Sequence, residues 1–197
     1  MKLIVIRHGE TIDNINKNIQ GQNDGQLSAI GVVQAQKIAD RLQKEKIDFI
    51  YCSDLGRARE TLNYIAKYHK NTPVIYEPML RERDFGEFNG KKLDDYKAKR
   101  DAINRNNWRP KNGENFYDVK KRIRKFLKYL IENHQDNDTI LIVSHGGWKG
   151  TFFSQIMDIP RKKAFFIQFD NTSVSEVELN TDGKHKINLI NCTKHLS

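Results

Sequence analysis

Cysteine is scarce in this chain, since only Cys52 and Cys192 occur among its 197 residues. Two cysteines are too few for a disulfide framework, and their spacing matches neither a CxxC pair nor the Cys/His pattern of a zinc site. These absences exclude a small disulfide-stapled secreted fold and a structural zinc module. They indicate a reducing compartment, and we expect the cytoplasm.

Long hydrophobic runs are also absent. Before Arg7 the chain has one lysine and the apolar run Leu3 to Ile6, which is shorter than the apolar core of a signal peptide. No apolar run elsewhere approaches the about 20 residues that a membrane-spanning helix needs. We therefore expect no membrane partner.

Negative charge is in the minority, because 34 lysines and arginines outnumber 25 aspartates and glutamates and give a formal net charge of +9. Such a surplus is typical of many nucleic-acid-binding proteins. Here the lysines are spread along polar, helix-like faces, and no helix-turn-helix or RNA-recognition signature is found. We predict no nucleic acid partner and expect the charge to attract anionic substrates. Binding to nucleic acid through charge alone is the alternative, and it predicts a steep salt dependence.

The length of the chain and the alternation of its elements indicate the fold class. A chain of 197 residues accommodates one well-buried core, so we predict a single domain over residues 1–197. Strand-like apolar runs alternate with segments of helical periodicity, which predicts an α/β fold: a three-layer α/β/α sandwich around a largely parallel, mixed central sheet. The predicted strands are Leu3 to Ile6, Ile47 to Tyr51, Pro73 to Tyr76 and Thr139 to Val143; the predicted helices are a segment after Ser28 that reaches Leu42, Arg57 to Tyr68, Leu93 to Ile103, and the stripe from Val119 to Leu130.

Two regions depart from this alternation. Strand-like runs at Phe165 to Phe169, Val174 to Leu179 and Lys186 to Ile190 predict an antiparallel element at the sheet edge. The segment from about 91 to 113 is polar, basic and poorly periodic outside its one predicted helix, and we interpret it as a small inserted cap. Its basic residues are more typical of a solvated face than of substrate contacts. They are Lys91, Lys92, Lys97, Lys99, Arg100, Arg105, Arg109 and Lys111.

Two of the predicted strands end in similar turns. The first leads into Arg7-His8-Gly9, and the strand at 139 to 143 leads into Ser144-His145-Gly146. Ligand sites of α/β folds lie at the carboxyl ends of strands, so we expect both imidazoles around one ligand. Arg57, at the start of a helix after another strand, adds a second guanidinium to that of Arg7. Two guanidinium groups, two imidazoles and helix amino termini suit a phosphoryl dianion.

The ordered set of motifs is more specific than any single one. It consists of Arg7-His8-Gly9-Glu10-Thr11 with Asn14, Gln20-Gly21, Ser53-Asp54-Leu55 with Arg57-Ala58 and Thr61, Leu80-Arg81-Glu82, Ser144-His145-Gly146-Gly147 and Asn171-Thr172-Ser173. From Leu3 to about Ser173 the chain closely resembles the histidine phosphatase superfamily, also called the phosphoglycerate mutase-like family.

The resemblance implies an enzyme that works through a covalent phosphohistidine. His8 is then the nucleophile, and Glu82 is the proton donor to the leaving group. Positioned donors, with His145 as an imidazolium, hold the phosphoryl oxygens in place of a metal, so neither a metal nor a cofactor is expected. The residues that match phosphate- or substrate-binding positions are Arg7, Asn14, Gln20, Gly21, Arg57, His145 and Gly146.

Within this family the chain is most similar to the compact bacterial phosphatases. The acid phosphatase and phytase branch has an acidic residue just after the second histidine, where this chain has Gly146. The resemblance therefore implies a metal-independent phosphomonoesterase that hydrolyses a small phosphorylated metabolite, as a monomer or homodimer, and leaves the substrate open. A binding module without turnover is disfavoured because both histidines and Glu82 are present.

A cofactor-dependent phosphoglycerate mutase is the main alternative. Three departures from the mutase pattern count against it. The mutase tyrosine that contacts substrate corresponds to Phe85, the paired arginines after tryptophan are reduced to Trp108-Arg109-Pro110, and the asparagine after His-Gly is Gly147.

Overall fold

Six strands form one mixed sheet in the part of the chain that this computed structural model describes, which is residues 1–103, 108–160 and 168–197. The strands are β1 (Lys2–Arg7), β2 (Phe49–Cys52), β3 (Val74–Tyr76), β4 (Thr139–Ser144), β5 (Val174–Glu178) and β6 (Lys186–Cys192). Their order across the sheet is β3-β2-β4-β1-β5-β6. The first four strands along this order pair in parallel, whereas β5 pairs antiparallel with both β1 and β6. The predicted α/β fold with a largely parallel, mixed sheet is confirmed.

The helices begin where the sequence provides capping side chains. Ser28 accepts a hydrogen bond from the Gly31 amide at the start of α2, and Asn115 caps α5 in the same way. The α-helices of the described residues are α1 (Ile12–Ile15), α2 (Ala29–Leu42), α3 (Gly56–Ile65), α4 (Leu93–Ile103), α5 (Phe116–Asn133) and α6 (Gly146–Ile156). Short 3-10 helices lie at Pro78–Leu80, Gly86–Phe88 and Lys194–Leu196.

Hydrophobic residues cover both faces of the sheet, because successive side chains of a strand point to opposite faces. On one face, Leu3 and Val5 pack with apolar residues of α5 and α6. On the other, Ile4 and Ile6 pack with apolar residues of α2 and α3. The sheet is therefore the middle layer of three, as predicted.

The predicted elements differ from the observed ones mainly at their ends. Helix α3 ends at Ile65 rather than Tyr68, because the Tyr68 amide closes a turn on the Ile65 carbonyl and its side chain is half exposed. Of the predicted strand at 165–169, residues 165–167 lie outside the described residues, and the remaining two are not in a strand. The antiparallel edge formed by β5 and β6 is confirmed.

Helix α4 has the predicted bounds and lies against the loop that follows α1. Two backbone hydrogen bonds attach it there, from the Ile19 amide to the Lys91 carbonyl and from the Leu93 amide to the Lys17 carbonyl. Tyr96, the buried residue of α4, packs with Phe88 and Ile19. The role of this segment as a cap remains a prediction, and Arg105 lies outside the described residues.

Where the structure describes the chain, no helix combines the length and the apolar character that a membrane crossing requires.

Candidate active site

The carboxyl ends of β1 and β4 bring the two histidines together. The strands pair in parallel with Arg7 opposite Ser144, and the His8 amide donates to the Ser144 carbonyl over 3.0 Å. His8 and His145 each follow directly, and their ring centroids are 5.2 Å apart. The two turns recognised in the sequence therefore meet at one edge of the sheet, as ligand-binding turns of α/β folds do.

The hydrogen bonds of the buried His8 ring fix its tautomer. Nδ1 lies 2.7 Å from the Gly9 carbonyl oxygen. A carbonyl only accepts, so Nδ1 carries the proton and Nε2 keeps its lone pair. Burial, together with the charges of Arg57 and Arg7, lowers the pKa of His8 well below its ordinary value. The ring is therefore neutral at neutral pH, which is the form that a nucleophile needs.

Arg57 links the histidine to the loop that follows α1. Its Nε donates to Nε2 of His8 over 3.2 Å. Nη1 donates to the carbonyls of Asn23 and Asp24, and Nη2 to that of Gly21. One N–H of Nη2 has no partner among the described residues, so this guanidinium has less free donor capacity than its fork shape suggests. Burial lowers the pKa of Arg57 to about 10, which leaves it charged at neutral pH.

Arg7 has more donor capacity left. Its Nη1 donates to the Phe169 carbonyl over 2.7 Å, whereas its buried Nε has no partner within the described ranges. Gly146 lies against this side chain, and a Cβ there would be 3.2 Å from Arg7 Nε. The glycine thus leaves room for the guanidinium beside the amino terminus of α6.

His145 lies behind His8 and is fully buried. Its Nε2 is 2.8 Å from Ser53 Oγ, and its buried Nδ1 has no hydrogen-bond partner in the described part of the chain. Burial, followed by the charges of Arg57, His8 and Arg7, lowers the pKa of His145 well below its ordinary value. Burial and the crowded cations thus disfavour a positive charge on this ring, whereas a phosphoryl dianion would favour one, so the imidazolium role of His145 stays a prediction. A neutral His145 still offers one ring N–H.

Glu82 is held by two backbone amides at the edge of the same site. Oε2 accepts from the Gly147 amide over 2.8 Å, and Oε1 accepts from the Arg83 amide over 2.7 Å. A Cβ at position 147 would be 2.5 Å from Oε1, so only glycine allows the carboxylate to approach α6 so closely. The departure from the mutase pattern at Gly147 thus has a structural reason in this chain.

A cavity of about 270 Å³ joins most of the predicted site residues. Within it, Gly21 has a positive φ of 51° and presents its carbonyl to Arg57, and Asn14 uses its Oδ1 to accept from the Thr11 amide. Those that line the cavity are Arg7, His8, Asn14, Gln20, Gly21, Arg57 and Glu82. His145 and Gly146 do not line it; they contact His8 and Arg7 from behind.

Arg122, Ser53 and Asn171 also position the site, although the sequence motifs predicted no role for them there. Arg122 donates to the carbonyls of Met79, Arg81 and Glu82 and forms an ion pair with Glu114, and so fixes the loop that carries the Glu82 carboxylate. Asn171 Nδ2 donates to the His8 carbonyl over 3.0 Å. Arg122 is one of many basic residues on α5, so only its tertiary contacts distinguish it.

Lys149 is a fully buried lysine on α6. Its Nζ donates to the Ser173 carbonyl over 2.8 Å and lies 4.6 Å from the centroid of the Phe169 ring, whose residue supplies the carbonyl that holds Arg7. Burial and the charge of Arg7 lower the pKa of Lys149 well below its ordinary value. The lysine therefore ties α6 to the segment that orients Arg7.

Replacing Lys149 with methionine is expected to lower kcat for p-nitrophenyl phosphate by about 10- to 100-fold, because Arg7 loses its fixed support. The midpoint of thermal unfolding changes little. Removal of a polar amine from the interior opposes the loss of a partner for the buried Ser173 carbonyl. The exposed Lys125→Met is the matched control. A Lys149→Met variant with the kcat of the control would show that the lysine does not position the site.

The described residues contain no group of three or more histidine, cysteine, aspartate or glutamate side chains arranged to hold a metal ion. The donors that face the cavity are instead guanidinium, imidazole and amide groups. Such donors bind phosphoryl oxygens through charge-assisted hydrogen bonds.

Comparisons with known proteins agree with this geometry. A family model described as the histidine phosphatase superfamily, branch 1, matches residues 3–193. "Probable phosphoglycerate mutase GpmB" of Erwinia tasmaniensis is 32% identical over 184 residues, which cover 90% of this chain and 85% of that protein. "Adenosylcobalamin/alpha-ribazole phosphatase" of Escherichia coli is 31% identical over 187 residues, which cover 91% of each chain.

The fold has solved counterparts of nearly the same length. The structure of Bacillus stearothermophilus YhfR superposes with a TM-score of 0.90 at 27% identity and covers 100% of this chain and 99% of its own. The resemblance inferred from the motifs is confirmed, and so is the expectation of an enzyme of the histidine phosphatase type. The chain belongs to the histidine phosphatase superfamily, branch 1.

Proposed function

We propose that this protein is a metal-independent phosphomonoesterase that hydrolyses small phosphorylated metabolites through a phosphohistidine on His8, with Glu82 as the proton donor. One observation carries the proposal. The neutral His8 ring has its proton fixed on Nδ1 by the Gly9 carbonyl, and its Nε2 lone pair faces the Nε of Arg57. A nucleophile prepared in this way, beside two guanidinium groups, suits attack on a phosphoryl group.

In the first step, Nε2 of His8 attacks phosphorus in line with the ester oxygen. The bond from phosphorus to Nε2 forms while the bond from phosphorus to the alcohol oxygen breaks. Nε–H of Arg57, which now donates to Nε2, transfers its hydrogen bond to a phosphoryl oxygen as the lone pair becomes a bond. The guanidinium of Arg7 and the side-chain amide of Asn14, which both line the cavity, provide further donors for the charge on the phosphoryl oxygens, and His145 supports His8 from behind.

Glu82 then gives its proton to the departing alcohol oxygen. An alkoxide is a poor leaving group, so this proton transfer is required for alkyl esters. In the second step, the Glu82 carboxylate takes a proton from water as the water oxygen attacks phosphorus. The bond from phosphorus to Nε2 breaks, phosphate leaves, and His8 returns to its neutral form.

A cofactor-dependent phosphoglycerate mutase is the second candidate, because the relative from Erwinia tasmaniensis carries that name. Two features of the site weigh against it. Phe85 lines the cavity with a ring that has no hydroxyl, and Arg109 forms an ion pair with Asp118 and is exposed. Neither residue therefore matches the mutase pattern at its position.

The proposal predicts that the purified protein releases phosphate from p-nitrophenyl phosphate at an undiminished rate in excess EDTA. The catalytic groups are protein side chains, so chelation removes nothing that the reaction uses. A parallel assay follows conversion of 3-phosphoglycerate to 2-phosphoglycerate with added 2,3-bisphosphoglycerate. Loss of phosphatase activity in EDTA, restored by a divalent metal, would contradict the proposal. Isomer formation faster than phosphate release would favour the mutase.

A further inference from the structure

A second cavity, of about 280 Å³, adjoins the phosphate-binding cavity. The two share three lining residues, Glu82, Phe85 and Leu93. His8, Arg7 and Arg57 line the first cavity, and none of these three lines the second. An ester that reacts at His8 and receives its proton from Glu82 therefore has the second cavity available for its alcohol part.

The walls of the second cavity are mainly apolar. Phe85, Leu93, Tyr96, Phe116 and Val119 line it. Tyr96 is buried and packs edge to face on Phe85 with ring centroids 5.1 Å apart, so the aromatic side of the cavity is fixed by packing. Such a wall gains free energy by covering apolar surface and gains nothing from a hydrated polyol.

The guanidinium group of Arg83 lines the cavity and packs on this wall. The guanidinium carbon of Arg83 lies 5.0 Å from the Phe85 ring centroid and 5.8 Å from that of Tyr96, and Nε donates to the Glu114 carbonyl. Among the basic residues of the 91–113 segment that the structure describes, only Arg100 lines the cavity. Beside the apolar wall the cavity therefore has two guanidinium groups, those of Arg83 and Arg100, and the Nε of Arg83 is already committed to the Glu114 carbonyl.

Small residues on one face of α6 line the cavity and leave space in it. Gly147, Gly150 and Thr151 line it at the spacing that places residues on one side of a helix. The Thr151 hydroxyl donates to the Gly147 carbonyl over 2.9 Å, so its donor is used within the helix. A large side chain at position 150 would occupy the space that the alcohol part needs.

We propose that this cavity selects phosphomonoesters whose alcohol carries an apolar, ring-bearing body, in preference to esters of polyols or of small alcohols without a ring. The proposal rests on the phosphomonoesterase function above and adds the chemical class of the substrate. The ester oxygen lies beside Glu82, the phosphoryl group lies against His8, and the ring lies between Phe85 and α6.

The test compares kcat/KM for 2-phenylethyl phosphate and ethyl phosphate, two primary alkyl esters that differ in the apolar ring. Wild-type protein is expected to prefer the phenylethyl ester by about 100-fold, the range that apolar complementarity supplies. Gly150→Leu is expected to reduce this ratio to near unity, because leucine takes the place of the ring. Leu93→Gln, at the exposed rim, is expected to lower the ratio several-fold and serves if leucine at position 150 prevents folding. Ile30→Gln, an exposed residue of α2, is the matched control.

The outcomes separate the two proposals. Phosphate release from ethyl phosphate without a preference for the phenylethyl ester would overturn the selectivity and leave the phosphomonoesterase function intact. A folded Gly150→Leu or Leu93→Gln variant that keeps the wild-type ratio would do the same. Release from neither ester, nor from p-nitrophenyl phosphate, would overturn both proposals.

Discussion

His8→Gln is expected to lower kcat for p-nitrophenyl phosphate by about 10⁴-fold or more, because the covalent route disappears with its nucleophile. Glutamine is close to histidine in size and polarity, so the buried turn is filled. The Gly9 carbonyl and Arg57 Nε, which contact the ring, both keep a polar neighbour. The loss then reports the missing imidazole nitrogen rather than collapse of the site.

Binding of inorganic phosphate shows whether His8 acts as the nucleophile or merely helps to hold the phosphate. Arg7, Arg57 and Asn14 remain in the variant, so the dissociation constant for phosphate, measured by calorimetry, is expected to stay within about tenfold of wild type. His185→Gln, in the turn between β5 and β6, is the matched control and keeps full activity. A His8→Gln variant that retains more than a few per cent of wild-type kcat would remove His8 as the nucleophile.

Glu82→Gln is expected to lower kcat/KM for ethyl phosphate by about 10²- to 10⁴-fold, the range for loss of a general acid. The loss of kcat/KM for p-nitrophenyl phosphate is expected to be less than about tenfold, because p-nitrophenolate is stable as an anion and leaves without a proton. Attack by water then lacks its base, so the variant should release a burst of p-nitrophenol before a slow steady state.

The contrast between the two esters is what identifies a proton donor. Glutamine keeps the shape of Glu82 and one acceptor for the Gly147 or Arg83 amide, so a general disturbance of the site would affect both esters alike. The exposed Glu87→Gln is the matched control. Equal losses for the two esters, without a burst, would assign Glu82 a positioning role instead.

The sequence predicted those parts of the molecule that depend on local pattern. Successive side chains of β1 point to opposite faces, so Leu3 and Val5 lie on one face of the sheet and Ile4 and Ile6 on the other. A continuous apolar run of this length therefore already indicates a strand that is buried on both faces. The capping side chain at Ser28 gave the start of α2. The end of α3 was wrong, since it depends on a turn at Tyr68 that helical periodicity does not contain.

The sequence predicted which residues form the site but not the hydrogen bonds and charges that connect them. The proximity of His8 and His145 could be predicted because the carboxyl ends of parallel strands meet at one edge of a sheet. The lowered pKa of His145 could not be inferred, because it depends on burial and on guanidinium groups that come from distant segments. Lys149 did leave a signal, since a single lysine beside Trp148 in an otherwise apolar helix is typical of a buried, specifically paired amine.

Rapid quenching of the enzyme during turnover of a phosphate ester radiolabelled at phosphorus tests the central claim most directly. The Glu82→Gln variant suits this experiment, because hydrolysis of its phosphoenzyme is expected to be slow. The account predicts label on the protein that is lost in acid, survives alkali and maps to the peptide that contains His8. Label on any other residue, or turnover without any labelled protein, would contradict it.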